Sequence, residues 1–374
     1  MCKSYRIKLY PNNIQKQELL KYAGACRFVY NYFLDRKKTE YLKNSKNIPY
    51  NKLSKELVVL RHNTSWLKNI PFVPLQQSLR NLDTAYNKFF RKQAKFPKFK
   101  RKYSRQSIRK INGWHIKNNK IVFSKELHLK FRGRITENPV GTLTISRNAI
   151  GEWFASVMED IEVKKVKLKG NIGIDLGIKD LAITSDGDKY KNCKPLKSNL
   201  KQLRKKSKIL SKKKKGSNRR KKARFELAIL HNKISNIRNN HLHHTSKAIV
   251  SKNHAIIALE DLAVINMMKN RKLSQAISDV GWAELVRQIT YKQSWIGGKV
   301  IKINRFFPSS KTCSKCGFVL DSLPLNIREW QCPKCKAKHD RDVNAGKNIL
   351  SQALKTAKNI LKQGVAELPR VESR

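Results

Sequence analysis

The sequence is short of acid. Twenty-six Asp and Glu stand against 82 Lys and Arg, a formal net charge of +56 over 374 residues. Self-repulsion on that scale opposes a compact chain unless a polyanion offsets it. The partner class this implies is nucleic acid, ahead of an anionic membrane surface. Long apolar runs are missing too: none approaches the ~20 residues of a membrane span, so no membrane-spanning segment is expected. The opening segment, Met1 to Ile7, alternates polar with apolar residues and has no signal-peptide core, so a cytoplasmic protein is expected. Cysteine is sparse, with seven in all. Four fall into a metal pattern, while Cys2, Cys26 and Cys193 stand singly, which argues against a disulfide framework. A phosphate-cradling Gly loop, a dinucleotide fingerprint, a convincing Ser/His/Asp order and an internal repeat are all lacking.

Several kinds of periodicity are present. Residues 3–10 alternate as a half-buried strand, stopped by Pro11-Asn12-Asn13, with Asn13 as the expected cap of a helix over 14–42. Further helices fit 50–61 and 75–92, the last with Leu79, Leu82, Tyr86, Phe89 and Phe90 on one side. The segment Lys88–Lys110 then carries 11 Lys/Arg and no acid, with Phe96-Pro97-Lys98-Phe99-Lys100 placing rings between cations. Cations at phosphates and rings at bases suit a nucleic acid; a solvated linker is the plain alternative. Residues 107–163 switch to period two, with turns at Gly113, Asn118-Asn119, Gly133, Gly141 and Gly151. A small antiparallel sheet or barrel is expected there, with the first strand joining it.

From Val166 the pattern is strand (171–177), strand (180–185), the turn Ser185-Asp186-Gly187-Asp188 and a short strand (188–191). Lys201–Arg224 follows as helix, with 14 Lys/Arg, no acid and a break at Gly216-Ser217-Asn218. Charge runs are usually solvated faces, but this many uncompensated cations favour a polyanion contact through residues such as Lys205, Lys213, Arg219 and Arg220. Helix continues over 225–250. A buried strand over 255–259 ends on Glu260-Asp261. A helix over 282–296, a strand at 300–303, the cysteine segment and an amphipathic helix over 342–361 complete the chain. The tail from Pro369 is expected to be disordered.

Two constellations carry chemistry. Asp175 is the only carboxylate in an otherwise apolar strand, where an uncompensated charge is expensive. A nearby Lys would explain it; so would a divalent metal, which needs more carboxylates. The element order supplies them. In an RNase H-like fold the first and fourth strands are neighbours and the last helix crosses them, so Asp175, Glu260 and Asp342 would meet at one sheet end. Two Mg2+ ions about 4 Å apart would relieve their repulsion and support phosphodiester hydrolysis. Asp180, Asp261 and Asp340 are the confounders, since such acids also cap helices. The second constellation is Cys313-x-x-Cys316 and Cys332-x-x-Cys335, fifteen residues apart. That is the spacing of a four-thiolate zinc ribbon, and four thiolates leave no open position, so this zinc is structural. His241, His243, His244 and His339 are not expected as metal ligands.

The residues also carry a family resemblance. Leu9-Tyr10-Pro11, Arg27-Phe28-Val29-Tyr30-Asn31, Phe96-Pro97-Lys98-Phe99-Lys100, Gly173-Ile174-Asp175-Leu176-Gly177, Pro308-Ser309-Ser310-Lys311-Thr312-Cys313 and Asp340-Arg341-Asp342-Val343-Asn344-Ala345-Gly346 resemble the OrfB-type, TnpB-like proteins of bacterial insertion sequences. The resemblance covers nearly the whole chain. It implies an α/β RuvC (RNase H-like) nuclease with a zinc ribbon, a small β-barrel and an N-terminal helical domain. The corresponding boundaries are 1–10 with 103–165 for the wedge-like barrel, 11–102 for the helical domain, 166–310 with 339–365 for the nuclease, 311–338 for the zinc ribbon and 366–374 for a tail. Members are understood as RNA-guided DNA endonucleases, long described as transposases and related to the ancestors of type V CRISPR effectors. The resemblance places the Asp/Glu/Asp triad on Asp175, Glu260 and Asp342, with Asp342 chosen over Asp340 because it directly precedes x-Asn-Ala. It implies two Mg2+ ions and one structural Zn2+, a guide RNA from the transposon end, double-stranded target DNA, and a prokaryotic, nucleoid-associated protein; the sequence leaves the oligomeric state open, with a monomer favoured. The helical and barrel segments would read a short flanking DNA motif, with Gln76 and Gln77 able to contact adenine edges. The competing readings are a DNA-joining transposase using the same acids, a nuclease-inactive RNA-guided repressor, and a ribosome-associated basic protein.

Overall fold

The structure is a computed structural model that describes residues 2–102, 106–133, 135, 139–163, 166–324 and 326–362. The expected tail lies outside these residues. Two compact units form, Met1–Glu162 and Val163–Arg374. Among the described residues no helix is long and apolar enough to cross a membrane.

The first unit runs β1 (Cys2–Leu9), α1 (Asn13–Asn44), α2 (Tyr50–Asn63), α3 (Ser65–Lys68), α4 (Phe72–Phe90), β2 (Gln106–Lys110), β3 (His115–Lys117), β4 (Lys120–Val122), β5 (His128–Lys130), β6 (Val140–Arg147) and β7 (Trp153–Asp160). Asn12, not Asn13, starts α1. Its side chain accepts from the Gln15 amide at 2.8 Å while the Gln15 side chain accepts from the Asn12 amide at 3.0 Å, a reciprocal capping box. Phe90 points outward, 57% exposed, away from the stripe expected of α4. The first strand joins the later ones as expected, in a sheet ordered β1-β7-β6-β2, beside a three-stranded β3-β4-β5 sheet. Asn118 and Asn119 both take positive φ (49° and 55°), which is what a two-residue hairpin turn between β3 and β4 requires. The helices and both sheets share one core that runs from Leu19, Phe33 and Leu79 to Phe123, Ile145 and Trp153. The expected boundary near residue 102 therefore does not separate two cores.

Two of the three motif stretches of this unit, 27–31 and 96–100, meet. The Asn31 side chain donates to the Lys100 carbonyl at 2.9 Å and accepts from its amide at 2.8 Å. The Lys100 ammonium sits 3.9 Å from the centre of the Tyr30 ring. The two motifs are thus halves of one packing contact.

The second unit runs β8 (Asn171–Asp175), β9 (Asp180–Thr184), β10 (Lys189–Lys191), α5 (Pro195–Ser211), α6 (Asn218–Val250), β11 (Ile256–Glu260), α7 (Val264–Met267), α8 (Ser274–Val280), α9 (Trp282–Trp295), β12 (Lys299–Ile303), β13 (Glu329–Gln331), β14 (Lys338–Asp340) and α10 (Arg341–Lys362). The sheet order is β10-β9-β8-β11-β12. β8–β9–β10 is antiparallel, whereas β11 lies parallel to both β8 and β12. The first and fourth strands are neighbours, as the RNase H-like expectation required. Side chains alternate across a strand, and the two faces have separate cores. Ile172, Ile174, Ile257 and Leu259 pack with Leu242 and Ile249 of α6 and Leu285 and Ile289 of α9. On the other face Ala258, Ile301 and Ile303 pack with Ile349, Ala353 and Ala357 of α10. The short helices α7 and α8 were not anticipated. α8 carries the buried Asp279, which accepts from the first amides of α5 (Leu196 at 2.9 Å, Lys197 at 3.0 Å) and pairs with Arg238 of α6 at 3.1 Å.

Candidate active site

The site is built by a close approach of helix to strand. A Cβ on Gly173 would lie 2.0 Å from the Gly346 carbonyl oxygen, and one on Gly346 would lie 2.9 Å from the Ser185 amide. Only hydrogens at both positions let α10 lie directly on β8 and β9. Asp342 is one helical turn before Gly346 and so shares its face toward the sheet. Asp175 is two residues after Gly173 and so shares its face toward α10. β8 and β11 pair with Leu259 beside Ile174. One step further along both strands brings Glu260 beside Asp175 on the same face.

The electrostatics record this convergence. Asp175 is pushed up to about 7, first by burial and then by the negative charges of Glu260 and Asp342; the Leu176 amide and Arg341 oppose the rise. Burial also raises Glu260, opposed by a hydrogen bond from Ser309. The Ser309 hydroxyl donates to Glu260 Oε1 at 2.5 Å. Arg328 Nη1 lies 3.2 Å from each Asp342 oxygen.

Two of the three confounding acids are otherwise engaged. Asp340 accepts from the amides of Asp342 and Val343 at 3.0 and 3.1 Å, capping α10, and pairs with Lys189 at 2.8 Å. Burial pushes its carboxyl up, but Lys189 and the two amides outweigh that and hold it below the usual range. Asp261 pairs with Arg305 at 2.5 Å and Lys302 at 3.7 Å. Asp180 opens β9.

The four cysteine sulfurs lie within 4.8 Å of one another, with Cys313–Cys335 and Cys316–Cys332 each at 3.6 Å. Tetrahedral Zn–S bonds of about 2.3 Å would set sulfurs about 3.8 Å apart, so the donor set fits one zinc ion. Gly317 takes φ 78° just after the first knuckle. Among the described residues this is the one cluster of three or more such ligands drawn together closely enough to hold an ion as the side chains stand. His339 Nε2 lies 3.0 Å from Cys313 Sγ, a hydrogen-bonding distance.

The basic residues singled out from the sequence divide. Lys98, Lys205 and Arg219 are exposed and Lys213 is half-buried. Arg220 is tied down: its Nη1 donates to the Leu210 and Lys213 carbonyls, each at 2.8 Å, closing the end of α5. Lys100 is held against Tyr30, and burial lowers its ammonium. Phe96 is 41% exposed, yet its ring meets Tyr86 and Phe89 edge-on. Gln76 is half-buried and Gln77 only 4% exposed. The first turns of α4 are enclosed on more than one side, with Leu75, Gln77, Ser78 and Leu79 all buried, so the expected pair of outward amides is not formed. Ser309 and Arg328 escaped the sequence reading. Ser309 sat in a quoted motif without a role, and Arg328 lies between the knuckles with no local pattern.

Comparison with known proteins agrees with this architecture. A family profile described as "Probable transposase" matches residues 155–271, and one described as "Cas12f1-like, TNB domain" matches 282–349. A third, described as "Helix-turn-helix domain", matches 1–46, which here fold as β1 and the single helix α1. A "Putative RNA-guided DNA endonuclease" of Streptomyces pristinaespiralis is 38% identical over 363 residues, covering 94% of this chain and 89% of its own length. "Putative RNA-guided DNA endonuclease InsQ" of Escherichia coli K12 is 34% identical over 370 residues, covering 93% and 91%. A chain in the "Cryo-EM structure of the Cas12f1-sgRNA-target DNA complex" superposes with a TM-score of 0.51 at 14% identity, covering 93% of this chain and 98% of that one, which supports a mixed α/β, RuvC-like fold. With identity above a third along nearly the whole length, the chain belongs to the OrfB/TnpB family of insertion-sequence proteins.

Proposed function

We propose that the protein is an RNA-guided DNA endonuclease encoded by a transposable element, with Asp175, Glu260 and Asp342 as its catalytic, Mg2+-binding carboxylates. The observation that carries this is the convergence of three acids at one sheet end in a chain with 82 Lys and Arg, where burial first and the charges of Glu260 and Asp342 second push the Asp175 carboxyl up to about 7. Folding has concentrated negative charge where the composition makes it scarcest, and bound cations are the chemical reason to do so. Two Mg2+ ions would activate water and stabilise the leaving oxygen of a phosphodiester.

The chain's own groups supply the rest. Ser309 holds one oxygen of Glu260, and Arg328 is placed to contact the oxygens of a phosphate at Asp342. The cations of α5 and α6 would hold an RNA from the transposon end, base pairing would select the DNA, and the first unit would read a short flanking motif. The names of both relatives point the same way. Four thiolates leave zinc no open position, so its part is to fold the ribbon. A cytoplasmic location at the nucleoid and a monomeric state accompany this reading.

The test is Asp175→Ala in protein purified with its co-expressed RNA. Loss of Mg2+-dependent cutting with RNA and DNA binding retained is expected. Cutting at the wild-type rate would overturn the assignment. Strand-transfer products would favour a DNA-joining transposase, and a wild type that binds guided DNA without cutting would favour a repressor.

A further inference from the structure

We infer that Ser309 is a positioning residue for Glu260, and that α10 and the first zinc knuckle serve to hold it there. This rests on the reading of Asp175, Glu260 and Asp342 as the metal-binding acids.

Ser309 is 7% exposed, and its hydroxyl donates to Glu260 Oε1 at 2.5 Å. The bond fixes one carboxylate oxygen and leaves Oε2 as the oxygen for an ion. A carboxylate ending a strand otherwise has free rotation about its side-chain bonds, and ordering it costs entropy each time an ion binds. A donor on one oxygen meets that cost in advance, as partners of metal-ligating carboxylates generally do.

The loop bearing Ser309 is gripped from α10. Asn344 and Asn348 are 1% and 5% exposed on a helix otherwise buried through Ala345, Ile349 and Ala353. Buried amides are costly unless bonded, and both are spent on this loop. Asn348 Nδ2 donates to the Ser309 carbonyl at 2.8 Å and the Thr312 carbonyl at 2.6 Å. Asn344 Nδ2 donates to the Thr312 carbonyl at 2.7 Å, and its Oδ1 accepts from the Ser314 amide at 2.9 Å. Cys313 lies inside the clamped stretch, so the zinc knuckle closes the loop's far end. The helix that delivers Asp342 thus also locks the residue that orients Glu260, which couples two of the three acids through one rigid element.

The experiment follows the Mn2+-dependent rise in melting temperature of the full-length protein with its copurified RNA, in parallel with Mg2+-dependent DNA cleavage. A bound ion stabilises the fold according to its affinity. Asp175→Ala and Glu260→Gln should flatten the rise; if Glu260→Gln keeps the wild-type midpoint, the three-acid reading itself fails. Given a flat Glu260→Gln, Ser309→Ala should move the Mn2+ midpoint about tenfold higher, the loss of one hydrogen bond to a charged group. Ser309→Thr, which keeps the hydroxyl, should restore it. A merely structural serine would lower the metal-free melting temperature and leave the midpoint in place, and that result overturns the inference. Should Ser309→Ala not fold, Asn348→Ala decides. It unties the loop but keeps the hydroxyl, so the same displacement is expected and an unmoved midpoint overturns the inference.

Discussion

The acid-lined sheet end and the basic α5–α6 pair are opposite solutions to presenting charge. At the sheet end a few carboxylates matter because of where they sit. They depend on a glycine contact, a capped helix and a clamped loop. Along α5 and α6 many cations stand in parallel, most of them exposed, and their number matters more than any one position. A function that rests on placement is broken by a single atom. A function that rests on count should degrade one small step at a time. Five variants bear on this contrast.

Cys332→Ser should drop the zinc content from one ion per chain to background and open the ribbon to proteolysis, because structural zinc supplies folding energy directly. Elemental analysis and limited proteolysis would read it; retained zinc would remove the four-thiolate site. Asp175→Asn should stabilise the divalent-metal-free protein at pH 8 by up to about 4 kcal/mol. The sign follows from the raised carboxyl, whose contribution is fully present below the unfolded value near 3.8 and is lost as pH rises through about 7. The Asn variant keeps that contribution, so its advantage should grow from pH 4 to pH 7 and then level off in denaturant titrations.

Gly173→Ala should cost about 3 kcal/mol, because its methyl would meet the Gly346 carbonyl at 2.0 Å. Cutting should fall with it as Asp342 is displaced. A variant with wild-type stability and activity would mean that α10 can shift freely, and the placement half of the comparison would fail. The smallest effects belong to the cations. Lys205→Ala should weaken RNA binding only a few-fold and reduce the salt slope by about 1. Arg220→Ala should instead lose about 1–2 kcal/mol of stability, since this cation closes α5 rather than facing solvent. Equal behaviour of the two variants in a salt titration would erase the distinction between free and structural cations.

Local pattern carried much of the architecture. Strand alternation in 107–163, the break between α5 and α6 and the amphipathic last helix are all written in short-range periodicity. The two cysteine knuckles are equally local. α7 and α8 left no such signal because they are only four and seven residues long, and the role of α8, seating Asp279 under α5 and against α6, joins residues far apart in sequence. Gln77 and Lys100 show the reverse failure. Each reads as a surface group by type, but Lys100 is half-buried against Tyr30 and Asn31, and Gln77 is buried because the first turns of α4 are enclosed on more than one side.

The chain's order of residues determined its charge, the pattern of its longer strands and helices and its two Cys-x-x-Cys pairs, since each follows from residue type and spacing. Only the tertiary structure decided that Asp340 is a cap while Asp342 faces the site, that Ser309 and Arg328 reach the acids, and that Arg220 and Lys100 are spent inside the fold. The physical reason is that a side chain's role is set by what lies within a few ångströms of it. In this protein those neighbours are brought together by Gly173 against Gly346 and by Asn344 and Asn348 of α10, which hold the loop over 309–314.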